Sequence, residues 1–258
     1  MSASTPDNDL ADHFQTYFRI LPADSPPLRE QVFRIRYDVY CREFGFEKEE
    51  CFPDGLEKDD YDDQAHHCII IHRASGQGAG CVRLVTASPN DSEFLLPMER
   101  CCAQSLKDPA RDPRRLPRDR IAEVSRLAVH TGFRRRSGET ASPAGRVDLS
   151  DISAEQRRTF PLLSLALFYA SAALMQIRDR QHAFVMVEPR LARRLQALAL
   201  PITQVGEPLE YHGTRAGFYL QAQAVVDNIP NELKGLYQYA HRSLSTGLPD
   251  SDDAPTDH

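Results

Sequence analysis

The sequence lacks several features that would assign it to a common class of protein. It contains no tryptophan, and its six cysteines form no CxxC pair of the kind that holds structural zinc. It also contains no P-loop, no G-x-G-x-x-G segment and no arrangement of serine, histidine and aspartate typical of a hydrolase. We therefore interpret the cysteines as reduced thiols in a cytoplasmic protein. No sequence signal points to a bound nucleotide or a nucleophilic serine.

Positive charge and targeting signals are also scarce. The 258 residues include 31 Lys and Arg against 37 Asp and Glu, a formal net charge of −6, which argues against nucleic-acid binding. Residues 1–13 have neither the basic nor the apolar segment of a signal peptide, so export by that route is not expected. The longest apolar run, 160–177, is rich in Ala and Ser and shorter than the roughly 20 residues of a membrane span. It predicts a buried helix, and a peripheral membrane association through this helix stays open.

The pattern of elements indicates an α/β fold. The main predicted elements are a helix over 26–44, hairpin strands at 68–73 and 80–87, a strand over 121–129, a long helix after a capping box at 153–156, and a strand over 182–188. Their order predicts three layers, a mixed central sheet with helices on both faces. We expect one domain over 15–245, with a flexible N-terminus at 1–14 and a disordered acidic tail at 246–258.

An acidic loop precedes the predicted hairpin. It carries Asp59, Asp60, Asp62 and Asp63 beside His66 and His67. The loop lacks the ligand alternation and the glycine of a calcium loop, so no metal site is predicted. Two interpretations stay open from the residues alone: a solvated acidic turn, or carboxylates that hold the ammonium group of an amine substrate.

Two arginines lie in apolar surroundings. Arg36 is at the margin of the buried stripe of the first predicted helix, and Arg83 lies within the apolar run GCVRLV. Either has an ordinary structural explanation. The Arg36 stem would cover the helix while its guanidinium reaches water, and Arg83 would sit on the solvent face of its strand.

The run EVSRLAV at 123–129 places a carboxylate and a guanidinium three positions apart in an otherwise apolar strand. Side chains alternate between the faces of a regular strand, so Glu123 and Arg126 should point in opposite directions. Either one of them faces the wrong way or the strand is distorted.

Five segments in this order carry a resemblance to a known family: RIRYDVY, EKDDYDD, GCVRLV, LLPMER and EVSRLAV. Together they resemble the N-acyl-homoserine-lactone (autoinducer) synthases and the related N-acyl amino acid synthases. The acyltransferases associated with PEP-CTERM/exosortase systems are the nearest match, and EYHGTRAGFYL is similar to them as well. The resemblance covers roughly residues 15–225. It implies a GNAT-like, autoinducer-synthase-like fold.

The same resemblance implies an N-acyltransferase. An acyl group, long-chain in the nearest relatives, would pass from a thioester on acyl carrier protein to the amine of an amino acid or similar small acceptor. The predicted catalytic residues are Glu123, Ser125 and Arg126, with Glu123 as the general base. The predicted substrate-binding residues are Arg36, Tyr40, Asp59, Asp62, Arg83 and Phe94, with Phe94 near the acyl pocket. No metal and no bound cofactor are implied, and acyl carrier protein is the expected partner.

A β-bulge within EVSRLAV would resolve the conflict between Glu123 and Arg126. An extra residue would let the two side chains converge, and in GNAT-like folds the strand splays there so that its backbone can bind a pantetheine arm. The backbone N–H groups at the bulge would hold the oxyanion. An edge-strand ion pair is the alternative.

Some features depart from the related patterns. Acetyl-CoA-dependent GNAT enzymes carry a glycine-rich loop after this strand, whereas FRRRSGETASP has a single Gly, which disfavours pyrophosphate binding. The family's aromatic residue after the first helix corresponds to Phe44 or Phe46. Basic stretches at 111–120 and 134–136 would steer an acidic carrier protein, or are simply solvated loops. Two alternative functions stay open: an acetyl-CoA-dependent N-acetyltransferase, and a non-catalytic acyl-binding module of an exosortase-type system.

Overall fold

The computed structural model describes residues 9–91, 93–134 and 159–246, which form one mixed sheet with helices on both faces. The strands are β1 (Phe18–Pro22), β2 (Ala65–His72), β3 (Gly78–Thr86), β4 (Ile121–Val129), β5 (His182–Val187), β6 (Thr203–Gln204), β7 (Leu209–Glu210) and β8 (Thr214–Gln221). The helices are α1 (Asp9–Tyr17), α2 (Pro26–Arg36), α3 (Pro97–Cys102), α4 (Thr131–Arg134), α5 (Thr159–Ile177), α6 (Pro189–Ala197), α7 (Ala222–Asp227) and α8 (Asn231–Ser245).

The sheet combines antiparallel and parallel neighbours. Its strand order is β1-β2-β3-β4-β5-β8-β6, and β7 pairs with β8. Neighbours from β1 to β4 are antiparallel, β4 and β5 are parallel, and β5 and β8 are antiparallel. The predicted hairpin is confirmed as the β2–β3 pair. The parallel β4–β5 pair lies in the middle of the order, where a crossover through α5 connects the two strands.

The core lies in layers above and below the sheet. Val82 and Leu84 of β3 pack with α5, α8 and α1 on one face, while Cys81 packs with α2 on the other. This alternation along one strand is the pattern of a sheet that is covered on both sides. The predicted three-layer α/β class is confirmed.

Helix α5 is the buried helix that the apolar run predicted. Its side chains from Leu162 to Met175 are almost all buried against the sheet and α8. Among the described residues, no helix combines the length and the apolar character that crossing a membrane requires. The capping box predicted at 153–156 lies outside the described residues.

Helix α2 begins with two prolines, as the sequence predicts, and continues as a π-helical segment over Tyr37–Glu43. The wider turn is visible in the Phe44 N–H, which donates to the carbonyl of Val39 at 3.1 Å. π-helical turns shift the side chains that follow them and are common at functional sites. Here the segment places Tyr40 against β4.

The prediction of a flexible N-terminus at 1–14 is wrong for residues 9–14. These residues belong to α1, and Phe14 is fully buried against Phe18 and Tyr239. This short helix has few apolar residues, and they lie in a mostly polar segment, so their helical spacing was not recognised. The extent of the domain over 15–245 stays a prediction, and the predicted tail lies almost wholly outside the described residues.

Candidate active site

The predicted bulge in β4 is present. Cys81 lies opposite Ala128 and Arg83 opposite Ser125, so two steps along β3 match three steps along β4. The extra residue is at Arg126, whose φ of 52° lies in the left-handed region that side chains with a Cβ seldom adopt. Because directly opposed residues share a face of the sheet, Glu123 and Ser125 lie on the face that carries Arg83. The bulge turns Arg126 toward that same face.

Three arginines and three carboxylates form a closed ring on this face. Arg36 of α2 binds Glu57 and Asp62, the latter at 2.6 Å. Arg83 of β3 binds Asp62 at 2.7 Å and Asp59 at 2.5 Å. Arg126 closes the ring by contacting Asp59 at 3.2 Å and Glu57 at 3.1 Å. Each carboxylate therefore lies between two guanidinium groups, and positive and negative charges alternate around the ring.

Burial and charge act in opposite directions on the ring carboxylates. Burial alone would favour their neutral form, but the adjacent guanidinium groups outweigh it and lower the pKa of Glu57, Asp59 and Asp62. The side chains of Arg36 and Glu57 are 0% and 1% exposed, so this is an interior network. The interpretation of Arg36 and Arg83 as solvent-facing arginines is wrong, because both are buried.

Backbone groups of the acidic loop add to the ring. The Asp59 N–H donates to the Asp62 carboxylate at 2.7 Å, and the Tyr61 N–H donates to Asp59 at 3.0 Å. The loop therefore folds around its own carboxylates while three elements hold them from outside. A solvated acidic turn is excluded for Asp59 and Asp62, which lie in this network.

Glu123 stands apart from the ring although it lies on the same face. Its side chain is buried, and it accepts a hydrogen bond from the Met98 N–H of α3 at 2.6 Å. Among the described residues no guanidinium lies within 4 Å of it. Burial raises the pKa of Glu123 to about 8, and the Met98 N–H and the charges of Arg83 and Arg126 offset only part of that effect. Near neutral pH this carboxyl holds a proton that it can release and take back.

Strands β4 and β5 separate beside the bulge. They pair only where Ile121–Glu123 lies against His182–Phe184, although both strands continue further. A cavity of about 80 Å³ opens between the separated parts, and we call it the interstrand slot. Its walls include Ser125, Leu127, Phe168, Val185, Val187 and Leu191.

A second cavity, of about 80 Å³, adjoins the slot and contains Glu123. We call it the Glu123 cavity. Its walls include Phe46, Glu47, Cys101, Tyr211, His212 and Arg215. Both cavities are lined by Tyr40, Val124, Ser125, Arg126, Met186 and Arg215. A group that enters through the slot therefore meets the bulge and reaches the cavity of the buried acid.

Two further predicted residues lie where the cavities meet. The Tyr40 hydroxyl donates to the Leu127 carbonyl at 2.9 Å, next to the bulge. Burial raises the pKa of Tyr40 well above its usual value, so the phenol stays neutral. The Ser125 hydroxyl accepts a hydrogen bond from Arg83 Nε at 3.1 Å, which joins this serine to the ring.

Phe94 occupies a different place. Its ring packs edge-on against Tyr61 at 5.8 Å between ring centres, and its carbonyl accepts a hydrogen bond from Arg118. It does not line either of the two cavities. Phe46, one of the two candidates for the family's aromatic residue, does line the Glu123 cavity. The role of Phe94 in an acyl pocket stays a prediction.

Several site residues were missed at the sequence level. Glu57 is the third carboxylate of the ring. Its only signal in the sequence is indirect: three arginines in apolar segments need three carboxylate partners, and only Asp59 and Asp62 were predicted. Tyr211, His212 and Arg215 reach the Glu123 cavity from the hairpin between β7 and β8. They lie within EYHGTRAGFYL, which resembles the related acyltransferases, but no residue of that segment was singled out. Their proximity to Glu123 depends on the order of strands in the sheet.

The arginine-rich stretch 111–120 lies away from the slot. It directly precedes β4, at the opposite end of the strand from the bulge. Arg111, Arg114 and Arg118 are each paired with a carboxylate, on Asp108, Asp112 and Glu99 respectively. This stretch is therefore poorly suited as a docking surface at the mouth of the slot. The second basic stretch, 134–136, has no described side chain.

No group of three or more His, Cys, Asp or Glu side chains in the described ranges is arranged to hold a metal ion. The six cysteines, all of them described, are free thiols. The polar groups that the site presents are a proton-holding carboxyl, the peptide groups of the separated strands, and a ring of charges behind them.

Comparison with known proteins gives one domain match and a set of solved structures with the same fold. Residues 35–142 match the model of the acetyltransferase (GNAT) domain family. No curated protein sequence matches the chain. The matched range 35–142 of the GNAT domain family includes every residue of the ring and the bulge of β4.

Solved structures with the same fold span most of the chain. The acyl-homoserine-lactone synthase LasI superimposes with a TM-score of 0.55 at 15% identity, covering 83% of this chain and 95% of that one. FeeM, an N-acyl amino acid synthase from uncultured soil microbes, gives 0.53 at 16% identity over 83% and 96%. The CoA-dependent acyl-homoserine lactone synthase BjaI gives 0.52 at 17% identity over 86% and 98%. The fold is thus that of the GNAT-like autoinducer synthases, while the exosortase association stays a prediction.

Replacing Arg36 by Ala should lower the free energy of unfolding by about 3 kcal/mol, as expected when one partner of a buried ion pair is removed. The loss is at the low end of that range because Glu57 and Asp62 keep Arg126 and Arg83. Urea unfolding followed by circular dichroism measures it. The matched control is Arg34→Ala on the same helix, whose pair with Glu30 is exposed and should contribute less than about 0.5 kcal/mol. Equal effects of the two substitutions would contradict a buried ring.

Replacing Glu123 by Gln should stabilise the protein increasingly as the pH rises. The pKa of Glu123 is raised on folding, so between about pH 4.5 and 8 the folded state binds a proton that the unfolded state has lost, and stability falls with pH. Gln keeps the acceptor for the Met98 N–H without titrating. The difference in unfolding free energy between E123Q and the natural protein should grow by up to about 1.4 kcal/mol per pH unit in this window. A difference that stays constant from pH 4.5 to 8 would show that the carboxyl is not buried in this way.

Proposed function

We propose that this protein is an N-acyltransferase that moves an acyl group, long-chain by its sequence resemblance, from a thioester on acyl carrier protein to the amine of an amino acid or similar small acceptor. One observation carries the proposal. A slot between two separated parallel strands opens onto a buried carboxyl group whose pKa is about 8. The slot suits the arm that carries a thioester, and the carboxyl of Glu123 suits deprotonation of an amine.

The chemistry requires a base because the acceptor arrives protonated. Free amines have pKa values of about 8 to 10 and are mostly cationic at neutral pH, so they cannot attack a carbonyl carbon. In the proposed reaction the ionised form of Glu123 takes a proton from the amine, directly or through water. The nitrogen then bonds to the thioester carbon, the C–S bond breaks, and the thiol leaves with a proton. The enzyme forms no covalent intermediate.

The separated strands supply the remaining groups. Beyond Glu123 the peptide groups of β4 that face β5 have no partner among the described strands, and their N–H groups are proposed to bind the thioester arm and the developing oxyanion. Arg126 lies at the bulge but is already held by Asp59 and Glu57. Its proposed role is to fix the bulge and the local field, with Arg36, Arg83, Asp59 and Asp62 as its support. Tyr40 and Ser125 line the path between the cavities.

The choice of donor depends on the segment after β4. FRRRSGETASP has one Gly, whereas a pyrophosphate is usually held by a glycine-rich turn with several free N–H groups, which favours a carrier-protein thioester over coenzyme A. The match to a GNAT acetyltransferase domain keeps acetyl-CoA as the second candidate donor. A non-catalytic acyl-binding module would retain the slot without needing a proton-holding carboxyl beside it.

The proposal is tested by offering purified protein both kinds of donor. Acyl carrier proteins loaded with chains of several lengths, the matching acyl-CoA thioesters and acetyl-CoA are each incubated with a panel of amines, and N-acyl products are identified by mass spectrometry. We expect product from the carrier-protein thioesters at a rate at least about tenfold above that from acyl-CoA, because part of the recognition energy comes from the carrier. Product from acetyl-CoA alone would establish the second candidate. Acyl chains that bind and never transfer would identify a binding module.

Glu123→Gln should reduce kcat/KM for acyl transfer by about 10² to 10⁴, the usual contribution of a general base. In the natural protein, kcat/KM should rise with pH and show an apparent pKa of about 8, because the ionised carboxyl is the active form. That limb of the profile should be missing from E123Q. Glu50→Gln, which changes an exposed carboxylate, is the control and should leave the profile unchanged. An E123Q rate within about twofold of the natural protein would remove Glu123 from this role.

A further inference from the structure

Arg215 is a cation at the meeting point of the two cavities, and its guanidinium pairs with no carboxylate of the described residues. It lies on β8, directly after the hairpin from β7, and lines both the slot and the Glu123 cavity. Its Nε donates to the His212 carbonyl at 3.4 Å. Among the described residues no carboxylate lies within 4 Å of its guanidinium, and its two Nη groups have no hydrogen-bond partner.

The other charged groups of the Glu123 cavity are Arg126, Glu47 and Glu123 itself. Arg126 contacts Glu57, Asp59 and, at 3.8 Å, Glu47. Glu47 also lies 3.7 Å from His212. Glu123 is largely protonated near neutral pH, because burial raises its pKa to about 8. The ring is neutral as a whole, so the cavity holds one negative charge on Glu47 beside the positive charge of Arg215, and Glu188 also lines the slot. The guanidinium of Arg215 nevertheless has no carboxylate within 4 Å among the described residues, so an anionic group of a ligand can pair with it directly.

The Arg215 side chain is also held in a defined orientation. Its guanidinium carbon lies 5.2 Å from the centre of the Phe46 ring, within the range of a cation–π contact. With the guanidinium over this ring and Nε bonded to a carbonyl, the two Nη groups form a fork that has a preferred direction. A guanidinium fork matches the two oxygens of a carboxylate, and such bidentate pairs are stronger than neutral hydrogen bonds.

We propose that Arg215 binds the carboxylate of the acceptor and so selects amino acids over amines that lack this group. This inference rests on the proposed N-acyltransferase function and deepens it. In an α-amino acid the carboxylate is two bonds from the nitrogen, so a carboxylate on Arg215 places the amine within the cavity that holds Glu123. The alternative anion is the phosphate of the donor's pantetheine arm. That phosphate lies a full arm's length from the thioester, whereas Arg215 shares a cavity with the base.

The test compares amino acids with amines that differ only by loss of the carboxylate. Leucine is paired with 3-methylbutylamine, phenylalanine with 2-phenylethylamine, and lysine with 1,5-diaminopentane. Steady-state transfer is measured for each with the natural protein, R215Q, R215K and R19Q. Arg19 is an exposed residue of β1 at the far edge of the sheet and is the matched control.

We expect R215Q to raise KM for the reactive amino acid about 10- to 100-fold, the usual consequence of losing a hydrogen bond to a charged group. KM for the acyl donor should stay the same, R215K should recover part of the loss, and R19Q should have no effect. The matched amines should be poor acceptors for the natural protein. In R215Q the difference in kcat/KM between each amino acid and its matched amine should become smaller. Calorimetric titration of the same amino acid into natural and R215Q protein gives a readout that does not depend on turnover.

The outcomes separate the inference from the proposed function. Two results would overturn the assignment of Arg215 while leaving acyl transfer established. One is a rate that R215Q leaves unchanged, and the other is a natural protein that accepts an amine as well as the matching amino acid. A rise in KM for the donor alone would assign Arg215 to the pantetheine phosphate and overturn it as well. Absence of both transfer and binding for every amino acid and amine would remove the function and the inference together.

Discussion

The ring of Arg36, Asp62, Arg83, Asp59, Arg126 and Glu57 is the interaction on which the rest of the site depends. It joins α2, β3 and the bulge of β4 to the acidic loop, and four of its six side chains are at most 4% exposed. Desolvating six charges is costly, and only close pairing repays it. Alternation meets that requirement because each group has a neighbour of opposite charge on both sides. The ring thus fixes a geometry more than it adds net stability.

The site divides its carboxyl groups into two kinds by environment alone. Those of the ring are kept ionised by guanidinium groups, whereas Glu123, on the same face of the sheet, has burial without a direct cationic partner and holds its proton near neutral pH. Two carboxyl populations whose pKa values are pushed in opposite directions are a frequent basis for acid–base chemistry. The distinction needs the ring to be complete, because an arginine released from it would be free to pair with Glu123.

The sequence predicted the elements and the charged residues better than it predicted their partners. The fold class, the β2–β3 hairpin and the bulge followed from apolar periodicity, from one conflict of alternation in EVSRLAV and from a family resemblance. Glu57 was not singled out because nothing local distinguishes it from exposed acids of the same loop. Arg215 was not singled out because its position depends on β8 joining the sheet beside β5. Helix α1 was missed because a short amphipathic helix gives too few apolar positions to count.

The left-handed residue in β4 has two consequences that a regular strand would not allow. It turns Arg126 onto the face of Arg83, which closes the ring, and it occurs just where β4 leaves β5, beside the slot. A regular strand would send the Arg126 guanidinium to the α5 face, where the apolar core of Val124 and Leu165 offers no carboxylate. The strain of an arginine at φ 52° is therefore offset by the pairing it permits. The same distortion that opens a path for a thioester also locks the charges behind it, so the slot and the ring form or fail together.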